Sequence, residues 1–271
     1  MRLLSRLRAA GAQALNDLVR AHEGQLSSPP ARLPLLDFAG DAAIARWLLH
    51  TDKGVGGFSE CQLEALSPAS ALWSGVTALE ADTTVQTAQV NDQGKVASKT
   101  GFVAMRTRVA DEAWALHDFH GLCVRMRPDA RKYVLNVRAD NVLGDDRTDD
   151  LYQVTMCPFL EEAVASGASA GDAPAPPEPE QQQPMVDVRI PWGAFTLTWR
   201  GYVQGVRPPA MHLDRITHVG FLLSDGEDGP FACEMGALSA FRYEDEELKH
   251  SAHARAAMRL NAERGYEDVL S

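Results

Sequence analysis

Two neighbouring stretches in which apolar and polar residues alternate constrain this chain more than any other feature. Leu122, Val124 and Met126 alternate with Cys123, Arg125 and Arg127, and Tyr133, Leu135 and Val137 alternate with Lys132, Asn136 and Arg138. A period of two puts the two sets on opposite faces of an extended chain, so both stretches read as half-buried strands. Between them Asp129-Ala130-Arg131 is a polar connection of hairpin length, which predicts that the two strands pair antiparallel. Further strand candidates fall at 101–109, 151–156, 186–190, 216–223 and 231–242. Many strands with few helices between them predict an all-β sandwich.

A second feature is the run Thr51-Asp52-Lys53-Gly54-Val55-Gly56-Gly57-Phe58-Ser59. Glycines this dense suit neither a helix nor a strand interior, and they serve where the backbone needs positive φ or close approach, so the run reads as a shaped loop. The serine lacks the Gly-x-Ser-x-Gly elbow, and the glycines fit neither the dinucleotide fingerprint nor the P-loop. No nucleophile, base or metal-ligand pair accompanies it, so the expectation is a binding or assembly protein rather than an enzyme.

With 271 residues, 45% of them hydrophobic and 23% charged, the chain can bury a sizeable core. A net charge of -11 opposes general affinity for nucleic acid, which depends on Lys and Arg neutralising phosphates. Cys61, Cys123, Cys157 and Cys233 form no Cys-x-x-Cys pair and are expected to be free thiols in a reducing compartment. No apolar stretch approaches the roughly 20 residues needed to span a bilayer.

The chain divides by pattern into three parts. Residues 1–34 carry Arg2, Arg6, Arg8 and Arg20 with no acid before Asp17, and Leu3, Leu7, Leu15 and Leu18 near one helical face. This suits either a mitochondrial targeting peptide or a retained docking helix, and both readings stay open. Residues 35–243 form the β domain, interrupted at 166–184 by a low-complexity insertion in which every residue but three acids is Ser, Gly, Ala, Pro or Gln. Residues 244–271 read as a charged helical tail opened by Glu244-Asp245-Glu246-Glu247.

Other constellations read more plainly. His117 and His120 lack the further ligand pair that a structural zinc site needs. Asp145 to Asp150 lacks the turn glycine and terminal glutamate of an EF-hand loop and reads as a solvated connection. Arg125, Arg127, Arg131, Lys132 and Arg138 are the one basic concentration, expected to be mostly solvated or paired with acids on a sheet face.

Taken in order, Phe38, Trp47, Asp52-Lys53-x-x-Gly56-Gly57-x-Ser59, Gly101-Phe102-Val103-Ala104-Met105, Leu122-x-Val124-Arg125, Tyr133, Tyr152, Val188-x-Ile190-Pro191-Trp192, Phe195, Arg200-Gly201, Ile216, Val219-Gly220-Phe221 and Asp228-Gly229-Pro230-Phe231 form one series. This series resembles the thirty-kilodalton complex I intermediate-associated protein family. The resemblance implies a galactose-binding-like jelly-roll β-sandwich, here with N- and C-terminal helical extensions. It implies a non-enzymatic assembly factor for the membrane arm of mitochondrial complex I, with no cofactor or metal. The implied partners are complex I subunits or other assembly factors. The implied location is the mitochondrial matrix or the matrix face of the inner membrane, or the cytosol if the N-terminus is no targeting peptide. Trp47, Asp52, Lys53, Gly56, Gly57, Ser59, Arg200 and Gly201 are the family-motif residues taken as candidate partner-binding positions. The chain departs from the family at the insertion, at Met185 in place of a tryptophan, and at Ala130-Arg131 in place of a turn glycine. Two alternatives stand beside this reading. One is a permanent scaffold subunit of a large assembly; the other is a carbohydrate- or ligand-binding sandwich using Trp73, Trp192 and Trp199.

Overall fold

A computed structural model describes residues 30–82, 100–107, 114–140, 150–156, 184–199, 202–204 and 211–244. The expected terminal helices, Arg200-Gly201, and all of the low-complexity insertion except Pro184 lie outside the described residues.

Thirteen strands are described: β1 Arg32–Asp37, β2 Trp47–Thr51, β3 Glu60–Ser67, β4 Ser70–Thr77, β5 Val103–Thr107, β6 Gly121–Arg127, β7 Tyr133–Ala139, β8 Asp150–Thr155, β9 Val186–Pro191, β10 Thr196–Trp199, β11 Tyr202–Val203, β12 Ile216–Leu223 and β13 Gly229–Phe241. They form two antiparallel sheets. The first has the order β3-β4-β13-β6-β9, with β1 also on β13, and the second has the order β11-β10-β8-β7-β12-β5-β2.

The longest strand, β13, organises the first sheet. Residues 229–235 pair with β4 and residues 237–241 with β1, so β4 and β1 share one flank end to end, while β6 covers the other. The change of partner falls at Gly236, where the ladder to β6 also shifts register and the carbonyl accepts the Phe38 amide at 3.3 Å. A Cβ at Gly236 would lie 2.9 Å from the Met185 methyl, so a side chain there would crowd the bulge.

The expected hairpin does not exist. β6 lies between β13 and β9 in the first sheet, and β7 lies between β12 and β8 in the second, so residues 128–132 cross from one layer to the other. Alternation places Leu122, Val124, Met126, Tyr133, Leu135 and Val137 in the core, yet that burial is served equally well by two strands in opposite layers. Asp129 holds the corner: Oδ1 accepts the Arg131 amide at 2.9 Å and the Tyr133 hydroxyl at 3.0 Å, and Oδ2 accepts the Ala232 amide at 2.7 Å.

Aromatic side chains tie the layers together. Trp73 of β4 lies 5.7 Å from Tyr133 of β7 and 5.3 Å from Phe231 of β13, centroid to centroid. Trp47 at the start of β2 stacks on Phe38 at 4.9 Å and leans on Phe221 of β12 at 5.8 Å. Such pairs contribute about 0.5–1.5 kcal/mol each beyond the area they bury. Trp73 and Trp192 are 0% and 3% exposed, which removes both as a sugar platform; the side chain of Trp199 lies outside the description. Cys61, Cys123 and Cys233 are free, and burial pushes each thiol up, away from the reactive thiolate.

Candidate functional site

The glycine run folds around a buried carboxylate. After β2 the chain turns through a short 3-10 segment, Asp52–Val55, started by Thr51 Oγ1 accepting the Lys53 amide and ended by Gly56 in the left-handed region at φ +87°. Asp52, 0% exposed, then receives four donors. Oδ1 accepts the Ser59 amide at 2.9 Å; Oδ2 accepts the Ser59 hydroxyl at 2.7 Å and the amides of Gly101 at 2.6 Å and Phe102 at 3.3 Å. This donor-only set is what two carboxylate oxygens with four lone pairs satisfy.

The loop's glycines follow from this arrangement. A Cβ on Gly57 would lie 2.1 Å from the Asp52 carboxyl carbon, so only glycine lets the backbone pass there. Gly57 also donates to the Asp52 carbonyl at 2.9 Å, and the Asp82 amide donates to the Gly56 carbonyl at 2.8 Å. The Ser59 oxygen, having given its proton to Asp52, accepts the Ala78 amide at 3.0 Å, which occupies it as a structural bridge rather than a nucleophile. Ser59 and the 101–102 segment are thereby fixed to one side chain, and Ala78 is joined to it through the Ser59 hydroxyl.

The fixed loop presents Phe58 to solvent. Phe58 is 55% exposed although Gly57 and Ser59 on either side are buried, and Val76 and Leu79 of the flanking segment are 48% and 41% exposed. Lys53 bonds Glu60 across the loop at 2.7 Å, and that hydrogen bond holds the Glu60 carboxyl below its ordinary range.

Of the candidate partner-binding positions, Asp52, Gly56, Gly57 and Ser59 come together in this cage and Lys53 lies on its surface. Trp47 does not join them; it sits at the opposite end of β2 in the core.

The expected basic concentration is dispersed, because β6 and β7 belong to different sheets. Arg125 is exposed on β6, Arg127 pairs with Glu234, Arg138 stands on the outer face of the second sheet, and Arg131 is buried. Arg131 grips Asp225 at two points and also donates to Thr77 Oγ1 and the carbonyls of Glu227, Gly229 and Pro230. The zinc reading of His117 and His120 also separates: His117 faces Asp118, whereas His120 Nδ1 accepts the Tyr243 amide at 2.8 Å. Among the described residues no cluster of three or more His, Cys, Asp or Glu is placed to hold a metal ion.

A feature with no signature in any single stretch of sequence lies on the outer face of the second sheet. His50, Arg106, Asn136, Arg138 and His218, from four different strands, surround a pocket of about 220 Å³. Gly220 forms part of its floor.

These features define a class: a two-sheet antiparallel β-sandwich whose glycine loop is set by a buried aspartate. A family model described as complex I intermediate-associated protein 30 matches residues 36–162 and 178–235, and the chain belongs to that family. It is 28% identical over 209 residues to the mouse (Mus musculus) protein named complex I intermediate-associated protein 30, mitochondrial, covering 73% of this chain and 52% of the relative. The chain thus spans about half the length of that curated relative. Among solved structures it resembles a family 11 carbohydrate-binding module of Clostridium thermocellum, in complex with a mixed-linked tetrasaccharide, with 12% identity, a TM-score of 0.46 and coverage of 79% of this chain and 98% of the other. The agarase AgWH50C is similar at 9% identity and a TM-score of 0.41, over 79% of this chain and 25% of the enzyme.

Proposed function

We propose that this chain is a non-enzymatic assembly factor for the membrane arm of respiratory complex I, acting in mitochondria, on the matrix side, by binding a partly assembled protein partner. Family membership supports the complex I part of this reading, and the observation that carries the binding mode is Phe58. An aromatic side chain held in solvent by a loop that is itself fixed has little conformational freedom left to lose on docking, which favours affinity. Val76 and Leu79 extend the apolar surface, while the Lys53–Glu60 pair supplies a polar edge. Ser59, engaged as both donor and acceptor inside the cage, suits a scaffolding role. In the same reading the sandwich is a galactose-binding-like jelly roll that works through protein contact.

The test is affinity purification of the tagged full-length chain from mitochondria, beside its Phe58→Glu variant. Recovery of membrane-arm subunits with the parent chain and their loss with the variant is expected. Recovery of no complex I subunit by the parent chain overturns the assembly reading; equal recovery by both overturns the role of the loop.

A further inference from the structure

Among the described strand residues, the outer face of the second sheet carries charge of one sign only, with Asp140 just past the end of β7. Along the described residues of β2, β5, β12, β7, β8 and β10 that point away from the core, the ionisable side chains are His50, Arg106, His218 and Arg138, and no carboxylate stands among them. This occurs in a chain whose net charge is -11, where a cation would ordinarily find an acid nearby. Arg106 and Arg138 make no ion pair or side-chain hydrogen bond among the described residues, unlike Arg32, Arg127 and Arg131, which are all paired.

The register shows how the pocket is built. Gly220 on β12 is directly opposite Arg106 on β5 and Asn136 on β7, and His218, two residues away on the same face, is opposite Arg138. A Cβ on Gly220 would lie 2.8 Å from the Met105 carbonyl, so glycine both permits the close strand approach and leaves the floor bare. With strands spaced by about 4.8 Å, the arms on β5 and β7 rise roughly 10 Å apart across that bare floor. A relay orients the amide: Thr198 Oγ1 donates to Gln153 Oε1, and Gln153 Nε2 donates to Asn136 Oδ1, both at 2.7 Å, and the Asn136 NH₂ has no acceptor among the described residues. The pocket of about 220 Å³ has a largely apolar floor, including Ala104, Leu151 and Gly220, with Arg106, Arg138 and Asn136 among the residues that line it.

We propose that this pocket is a binding site for a phosphate group, held between Arg106 and Arg138 over Gly220 with Asn136 donating from the side. A carboxylate is satisfied by one guanidinium fork, because its two oxygens lie in one plane. A phosphate turns oxygens in several directions and takes both forks at once. The site is separate from the Phe58 loop and does not depend on the assembly reading.

The experiment is titration of the full-length chain with inorganic phosphate, glycerol phosphate and acetate, followed by calorimetry and by amide NMR shifts, alongside Arg106→Ala, Arg138→Ala and Arg138→Lys. Expected is saturable phosphate binding that perturbs the Gly220 amide, weakened about tenfold or more by either alanine variant and less by lysine, with acetate about tenfold weaker than phosphate. Circular dichroism checks that the variants remain folded. Tighter binding of glycerol phosphate identifies an ester as the natural form, and tighter binding of inorganic phosphate identifies the free ion; both support the site. Absence of saturation at millimolar phosphate, unchanged affinity in the folded alanine variants, or acetate binding as well as phosphate overturns it.

Discussion

Arg131 and Asp225 meet at two points, Nε to Oδ2 at 2.7 Å and Nη2 to Oδ1 at 2.8 Å, with their side chains 9% and 1% exposed. The contact joins the crossing between the layers to the turn that leads from β12 into β13. Removing the guanidinium leaves a buried charge and four further acceptors without their donor, so Arg131→Ala is expected to cost about 3–5 kcal/mol. Arg131→Lys is expected to recover only a part, since an ammonium cannot serve so many directions. Urea unfolding midpoints measure both.

Gly57 and Asp52 give a paired prediction. Gly57→Ala drives a methyl into the Asp52 carboxyl and is expected to destabilise by about 1–3 kcal/mol or more. Asp52→Asn places an amide hydrogen where two oxygens now accept four donors, at a comparable expected cost. Thermal unfolding of the two single variants and the double variant tests their coupling: the double is expected to cost less than the sum, because the two act on one contact.

Phe58 is predicted to behave in the opposite way. Its exposure makes Phe58→Ala nearly neutral for stability, within about 0.5 kcal/mol, while a docking anchor loses about 2 kcal/mol or more of affinity. Unfolding and quantitative co-purification on the same preparation separate the two quantities.

Three histidines set a pH response. Burial, which disfavours the charged form, lowers His50, His120 and His218 below the ordinary 6.5, and Arg106, Arg242, and Arg138 with Arg106 respectively add to it. The unfolded chain then binds more protons than the folded one as pH falls through 6.5 toward the folded-state values. Stability is therefore full above that point and declines on acidification. The midpoint of thermal unfolding is expected to drop between roughly pH 7.5 and pH 5.5, and the triple His→Gln variant to drop less. An equal drop in both would assign the response to other groups.

Much of the β architecture is legible in the sequence, and its failures have physical causes. β6, β7, β8, β9, β12 and β13 carry enough apolar alternation to be located within a few residues. β4 does not, because Gly75 interrupts it; a Cβ there would meet the Glu60 carbonyl at 2.0 Å, so the residue that breaks the pattern is the one that lets β3 approach. β1 is hidden by Pro34, which its flanking position beside β13 tolerates. Alternation reports which face is buried and says nothing of which layer a strand joins, and that is why residues 129–131 read as a hairpin.

The two sites differ in the same sense. The glycine run announced a shaped loop, but the reason for its shape is a carboxylate whose donors at Gly101 and Phe102 come from a distant segment. The cationic pocket draws single residues from β2, β5, β7 and β12, so each looked like an ordinary outward position until the register aligned them.

Arg32 pairs with Phe241, at the two ends of the described strand order. Everything between them must be synthesised before the first strand has a partner; β4 can pair with β3 and β6 with β9 earlier, but one edge of each also waits for β13. Closing such distant pairs costs chain entropy before contacts repay it, so the first sheet forms late and slowly. An emerging chain would spend that interval with β1 and one edge each of β4 and β6 open along β13's future positions, so a chain stopped before β13 lacks the strand that joins the two halves of that sheet.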